Sequence, residues 1–265
     1  MDQQKKYALV TGATSGIGLE LAKLFAQNGY NLVISARDEK ELIETAGTLE
    51  ALGAHVVYLP KDLFDREQAF SLYADIKQRG IEIEILVNNA GQGLYGTFDK
   101  TDIDRELMII DLNIASLVIL TKCFVIDMKE RNSGRILNLA SVASKVPGPW
   151  QSVYHGTKAF VLSFTEAIRE ELKDTQVTVT ALMPGATDTD FFNKAEMQDS
   201  KQVQDESSLS DAADVAKDGY EALMAGKDKV ISGLKNKLQM AMSAITPDSM
   251  VARQMNEQQK PVDQE

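Results

Sequence analysis

The sequence predicts a doubly wound α/β fold, a parallel β-sheet with helices on both faces, and three observations predict it. Short β-rich apolar runs alternate along the chain with longer segments of helical period. The runs are apolar almost throughout rather than at every second residue, which is the pattern of strands covered on both faces. A glycine-rich turn, TGATSGIG, follows the first of them.

In chain order the strand candidates are YALVTG, NLVISAR, HVVYLPKD, IEILVNNAG, GRILNLAS and VTVTALMPG. Helical segments from Ile17 to Gln27 and from Glu39 to Leu52 separate the first three. A helix from Ala212 to Met224 precedes a last strand, KVISGL, at Lys229 to Leu234. Two regions break the rhythm. Residues 186–210 are polar, acidic and long for a connection inside a compact domain, so they are either a mobile lid or a disordered insert. The tail from Thr246 is rich in Gln, Asp and Glu and is expected to be poorly ordered, or ordered only against a partner subunit. The organisation is therefore one domain over residues 1–245 and a polar tail over 246–265. Just before that tail, Leu238, Met242 and Ile245 recur at helical spacing, a stripe that could cap a pocket, join subunits or touch a membrane.

Composition narrows the function classes. The 265 residues are 44% apolar and 25% charged, ordinary for a globular domain. A net charge of -11 argues against nucleic acid as a partner. The single cysteine, Cys123, leaves no intrachain disulfide and no cysteine-based metal site, and with only His55 and His155 no metal is expected. MDQQKKYALVTG has no secretory apolar core, and in IASLVILTKCFVIDM the apolar run is interrupted by Lys122 and Asp127. The expectation is a cytoplasmic protein that does not engage a membrane.

The glycine turn carries the first chemistry. Gly12 allows a tight turn, Gly16 lets backbone approach a phosphate, and Gly18 lets the helix pack on the strand. The helix N-terminus then offers N–H groups and positive potential to a pyrophosphate. At the end of the second strand, VISARDEK, Ala36 occupies the position where an acidic residue would bind the ribose of NAD, and Arg37 follows it. A guanidinium there suits a 2'-phosphate, so NADP(H) is favoured over NAD(H). Asp38 keeps NAD open, as the ribose ligand in a register shifted by two.

YHGTK places Tyr154 and Lys158 one helical turn apart, projecting the same way. A catalytic helix face and an ordinary surface turn both satisfy that spacing. His155 between them is expected to point away from the cofactor.

TGATSGIG, NNAG at Asn88 to Gly91, DLNIAS around Asn113, LNLAS ending at Ser141, YHGTK, and MPGATDT at Met183 to Thr189 occur in this order. Together they resemble the classical short-chain dehydrogenases/reductases, in the general oxidoreductase branch, over roughly residues 5 to 235. The resemblance implies a single-domain Rossmann fold and a catalytic tetrad at Asn113, Ser141, Tyr154 and Lys158. It further implies cofactor contacts at Gly12, Thr14, Ser15, Gly16, Ile17, Gly18 and Arg37, then at Asp62, Leu63, Asn89, Ala90 and Gly91. The remaining contacts fall at Tyr154, Lys158, Pro184, Gly185, Thr187 and Thr189. One departure is Ser15, where many NADP-using members carry a basic residue in the glycine turn.

In this reading Tyr154 exchanges a proton with the substrate oxygen, tuned by the Lys158 ammonium, and Ser141 hydrogen-bonds that oxygen. Asn113 holds a water linking the lysine to a proton relay. The expected activity is an NADP(H)-dependent interconversion of a small-molecule carbonyl and alcohol, by a homodimer or homotetramer. Reduction of a 3-oxoacyl group on a carrier protein is the alternative enzyme reading, and a non-catalytic NADP(H)-binding sensor or scaffold is the alternative class. Leu94, Tyr95, Val146, Trp150, Phe191 and Phe192 either line the substrate pocket or pack beneath the lid.

Overall fold

The computed structural model describes residues 6–204, 209–243 and 245–262. Part of the acidic lid stretch (205–208) and the extreme ends of the chain lie outside the described residues.

Seven parallel strands form one sheet in the order β3-β2-β1-β4-β5-β6-β7. They are β1 (Tyr7–Thr11), β2 (Asn31–Ala36), β3 (Val56–Pro60), β4 (Ile83–Asn88), β5 (Gly134–Leu139), β6 (Val177–Met183) and β7 (Lys229–Ile231). The continuous apolar runs have the predicted cause. Leu9, Val33 and Leu86 pack on one face while Val10, Ile34 and Val87 pack on the other, all fully buried.

Helices α1 (Gly16–Gln27), α2 (Glu39–Glu50) and α9 (Ala212–Met224) cover the first face through Phe25, Leu42, Leu49 and Val215. Helix α3 (Arg66–Gln78), a segment from α4 (Ile103–Ile110) to α5 (Leu117–Glu130), and α6 (Ser152–Glu171) cover the second. The order of strands reverses between β1 and β4, which opens a crevice at their carboxyl ends.

Three features of the fold differ from expectation. A π-helical turn over Asp111–Ser116 joins α4 to α5, so Ile103–Glu130 runs as one helix of 28 residues. By length and composition that helix is sufficient to cross a membrane, contrary to the sequence reading. It lies against the sheet, with Leu120, Phe124 and Met128 buried in the core. Second, the tail is not a loose appendage: Asp248–Gln259 forms α11, which buries Val251, Met255 and Gln259 at a spacing of four against its own chain. Third, Leu238, Met242 and Ile245 are exposed, which removes the pocket-capping reading of that stripe alone, and α10 (Leu234–Ser243) buries Met240 instead.

Buried polar side chains tie the sheet to its helices. Asn88 Nδ2 donates to Thr121 Oγ1 and Asn138 Oδ1, both at 2.9 Å, and Asn138 Nδ2 donates to Thr165 Oγ1 at 3.0 Å. This ladder fixes α5 and α6 relative to β4 and β5, and therefore the residues they carry.

Candidate active site

A cleft of about 1050 Å³ runs along the carboxyl ends of the strands from Arg37 to α11. At its floor the glycine turn has the conformation its residues require. Gly12 and Gly16 adopt φ of +63° and +53°, where a side chain would be strained. A Cβ on Gly18 would lie 2.2 Å from the Gly12 carbonyl oxygen. Asn89 holds the turn from across β4, donating from Nδ2 to the Thr11 and Gly12 carbonyls at 2.9 Å each. Thr11 Oγ1 accepts in return from the Asn89 and Ala90 N–H groups at 3.0 Å.

Ser15 caps α1 through its backbone and makes no side-chain capping bond, which leaves the first-turn N–H groups to an anion. Thr14, Ser15, Gly16 and Ile17 line the cleft, with Gly18 behind them. A glycine cradle that a Cβ would fill and an uncapped helix N-terminus together fit a dinucleotide pyrophosphate. Among the described residues no cluster of His, Cys, Asp or Glu could hold a metal.

The far end of the cleft is built by β2 and β3. Ala36 is the last residue of β2, and the guanidinium of Arg37 lies 5.0 Å from the centre of the Phe64 ring. Asp38 is committed elsewhere: its carboxylate accepts from Glu41 N–H at 3.0 Å and caps α2. Asp62 accepts from Phe64 N–H at 3.2 Å, presenting Leu63 to the cleft.

The chemistry-bearing residues gather at the other side of the glycine turn. The π turn carries Asn113, whose side chain grips the Gln92 backbone by accepting from its N–H at 3.0 Å and donating to its carbonyl at 2.9 Å. Asn113 Nδ2 also donates to Thr157 Oγ1 at 3.0 Å. Asn113 thus sits behind the cleft wall, and a Cβ on Gly91 would meet Asn113 Oδ1 at 3.3 Å and Lys158 Nζ at 3.4 Å. The lack of a side chain at Gly91 leaves room for both groups.

Ser141 follows β5 and caps a short 3-10 turn, Val142–Lys145, accepting from Ala143 N–H at 3.1 Å. Its one hydroxyl proton serves either the Pro184 carbonyl, 3.3 Å away, or the Tyr154 oxygen. Burial pushes the Tyr154 phenol up to about 12, opposed by the Ser141 hydrogen bond. Burial also pushes Lys158 down to about 8, and its Nζ donates to the Leu139 carbonyl at 2.7 Å.

Pro184 and Gly185 follow β6 and line the cleft with Thr187 and Thr189. Thr187 Oγ1 donates to the Gly185 carbonyl at 3.0 Å, and the Thr189 methyl packs on Gly16, where a Cβ would meet it at 2.7 Å. The segment that follows β6 therefore begins directly over the glycine turn.

Beyond Tyr154 the cleft is walled by Val146, Phe191, Phe192 and three methionines, Met197, Met240 and Met255. Phe191, at the start of α7 (Phe191–Lys194), sits 5.1 Å centre to centre from the Tyr154 ring. Of the six apolar candidates, Val146, Phe191 and Phe192 line the cleft. Leu94 is core, and Tyr95 and Trp150 stack 5.6 Å apart and anchor α11. Tyr95 Oη donates to the Gln259 carbonyl at 2.5 Å, and Trp150 Nε1 donates to Asn256 Oδ1 at 3.0 Å. His155 is buried in the wall of the cleft, with Nδ1 2.9 Å from the Val146 carbonyl. Sequence reasoning missed Gln151, Met197, Met240, Met255 and Gln259. The recurrence of Val251, Met255 and Gln259 every four residues was the available signal for the last two.

A Rossmann-type sheet with a glycine turn at its switch point defines a nucleotide-binding oxidoreductase fold. The short chain dehydrogenase family model matches residues 6–200, and the chain belongs to the short-chain dehydrogenase/reductase family. It is 32% identical over 180 residues to the ketoacyl reductase HetN of Nostoc sp., a match covering 68% of this chain and 63% of that protein. It is 35% identical over 188 residues to a probable NADP-dependent dehydrogenase of Haemophilus influenzae, covering 70% and 73%. Among solved structures, a short-chain dehydrogenase from Sphingobium yanoikuyae in complex with NADPH superposes with a TM-score of 0.80 at 27% identity, covering 91% and 96%. One from Burkholderia phymatum in complex with NAD superposes at 0.82 and 24%, covering 99% and 98%, a likeness of fold.

Proposed function

We propose that the protein is an NADP(H)-dependent oxidoreductase that interconverts a carbonyl and an alcohol, with Tyr154 as general acid and base. The observation that carries this reading is the meeting of Ser141, Tyr154 and Lys158 in the cleft that also contains the glycine turn, with Asn113 behind them. When bound, the nicotinamide supplies the hydride for reduction or accepts it in oxidation.

Tyr154 Oη holds the proton. In reduction it protonates the developing alkoxide, and a phenol near 12 is fully protonated at neutral pH for that task. In oxidation the phenolate must form, and each unit by which its pKa is lowered is about 1.4 kcal/mol. A cationic Lys158 one turn away and the Ser141 hydroxyl both lower it. Ser141 rotates its proton from the Pro184 carbonyl to the substrate oxygen, stabilising charge as it develops. Asn113 positions the Gln92 backbone and, through Thr157, the helix turn between Tyr154 and Lys158.

NADP(H) is the favoured cofactor because the strand-end position is Ala36, Arg37 is poised beside it, and Asp38, the next residue, is engaged as a helix cap. A ketoacyl substrate is the second reading, favoured by the name of the Nostoc relative. The sensor reading lacks such support, since a scaffold has no use for a buried phenol and ammonium. Exposed Leu107, Met108, Ile126 and Phe160 on α4, α5 and α6 support assembly as a homodimer or homotetramer, and the reading of a cytoplasmic protein is retained as part of the proposal.

NADPH consumption against a panel of ketones, aldehydes and acyl thioesters tests the activity. Tyr154→Phe is expected to lower reduction by about 10²–10⁴ while leaving NADPH binding intact, and unchanged turnover would remove the mechanism.

A further inference from the structure

Among the polar groups that line the cleft on the side of α10 and α11, one side-chain atom has no hydrogen-bond partner. Gln259, at the end of α11, is 2% exposed and lines the cleft, yet its Oε1 accepts no hydrogen bond. Its Nε2 lies 3.4 Å from His155 Nε2, and its carbonyl is held by Tyr95. The orientation of that amide is set by a chain of contacts. His155 Nδ1 faces the Val146 carbonyl at 2.9 Å, so the ring proton resides there and Nε2 is left as an acceptor. An acceptor at His155 Nε2 selects the amide NH₂ of Gln259 as its neighbour, which turns Oε1 away from the ring. Burial holds the imidazole below its ordinary value, which keeps this neutral arrangement at physiological pH.

The placement of His155 is over-determined. A Cβ on Gly148 would lie 2.1 Å from its Cδ2, so the absence of a side chain there makes room for the ring. Trp150 next to it adopts φ of +69°, a strained conformation for an indole-bearing residue. That conformation brings Trp150 onto Tyr95 and Asn256, and so fixes α11 over the cleft. The lid is joined to the same end of the tail: Lys201 N–H donates to the Lys260 carbonyl at 3.3 Å and Val262 N–H to the Asp199 carbonyl at 3.0 Å. Backbone strain and a glycine gap at one point, both serving to hold an unpaired amide oxygen beside Val146 and three methionines in the cleft wall, are features of a recognition site.

The geometry points to Gln259 as a specificity-determining residue: its Oε1 accepts a hydrogen bond from a hydroxyl or N–H of the substrate, remote from the reacting carbonyl. The substrate class is a carbonyl compound with an apolar body, packed by Val146, Phe192, Met197, Met240 and Met255, that carries a donor at its far end. The centre of the His155 ring lies 6.0 Å from that of Tyr154, and Gln259 stands beyond His155, so the donor is separated from the carbonyl by several bonds. This inference rests on the reading of the cleft as the substrate site. A site with a buried unpaired acceptor discriminates strongly against an analogue that lacks the donor, because the acceptor stays unpaired.

The test uses the full-length protein with oxidised NADP, or oxidised NAD if that binds more tightly, and a homologous series of linear methyl ketones ending in a hydroxyl. The same ketones ending in a methyl group are the matched controls. Trp150, the chain's one tryptophan, contacts α11 and reports binding by its fluorescence without turnover. At one chain length the hydroxy ketone is expected to bind about tenfold or more tightly than its methyl partner, and Gln259→Leu is expected to erase the difference. Gln259→Met serves if the leucine variant loses cofactor binding. No preference at any length, no binding by either series, or a preference that survives both variants overturns the inference. NADPH oxidation separates the two claims. A binding preference without turnover removes the proposed activity and leaves this site, whereas turnover without a preference does the reverse.

Discussion

Lys158 Nζ stands 5.8 Å from the centre of the Tyr154 ring and is held in place by the Leu139 carbonyl, both on the inner face of α6. Burying the ammonium lowers its affinity for a proton, and this has a consequence for stability. Its pKa falls from 10.5 to about 8 in the fold. Below pH 8 both folded and unfolded chains carry the proton, and the burial penalty, roughly 3 kcal/mol for such a shift, is fully present. Between about pH 8 and 10.5 the unfolded chain binds more protons, so the penalty is relieved as pH rises. Lys158→Met is therefore expected to be more stable than the parent at pH 7, by up to about 3 kcal/mol, with the gap closing toward pH 10. Urea denaturation of the two proteins without cofactor checks this. A gap that does not change with pH contradicts it.

Tyr154 gives the catalytic pH dependence its sign. With the phenol near 12, the acid required for reduction is present throughout the neutral range, so ketone reduction is expected to be flat from pH 6 to 8. Alcohol oxidation needs the phenolate and is expected to rise with pH over the same range. Tyr154→Phe should lower kcat in both directions by about 10²–10⁴ while NADPH binds within about threefold of the parent. Initial rates across that range, with fluorescence titration of NADPH, measure both.

Arg37 is free to leave the Phe64 ring for a 2'-phosphate, whereas Asp38 is tied to α2. Arg37→Leu is expected to weaken NADPH about 10–100-fold, the value of one or two charge-assisted hydrogen bonds, and to leave NADH almost unchanged. Ala36→Asp should shift the preference further toward NADH. Paired titrations of the two cofactors decide it, and an equal loss for both would place Arg37 outside the phosphate site.

The glycine turn has no room to give. Gly18→Ala would drive a methyl group into the Gly12 carbonyl and the Asn89 amide, both of which are locked into one network. The expected outcome is a loss of about 1–3 kcal/mol of stability together with cofactor binding. Asn89→Ala, which unties Thr11 and Gly12 without adding bulk, should weaken NADPH while costing about 1–3 kcal/mol. Thermal melts with and without NADPH separate the two effects.

The glycine turn, the end of β2 at Ala36 and the helix that carries YHGTK were legible because each is a local structure set by neighbours in sequence. A tight turn, a strand terminus and one turn of helix are local geometries, written in residues a few positions apart. Those motifs are now joined in one cleft by long-range contacts that were not legible, such as Asn89 to Gly12 and Asn113 to Gln92. The tail was misread for a related reason. Its polar composition argues for solvation, but α11 is ordered by a thin buried stripe: Val251 and Met255 pack with Val146 and Met240, and Gln259 meets Tyr95 and His155, far earlier in the chain.

The sequence by itself determined the sheet, its covering helices and the nucleotide turn, since period and spacing encode those directly, while the residues proposed to move a proton followed from the family resemblance. Tertiary structure alone decided that His155 is buried in the cleft wall and that the tail roofs the chamber around an unpaired Gln259 amide. The physical reason is that each of these depends on which polar group finds which partner after the chain is packed, and pairing at a distance leaves no period in the sequence.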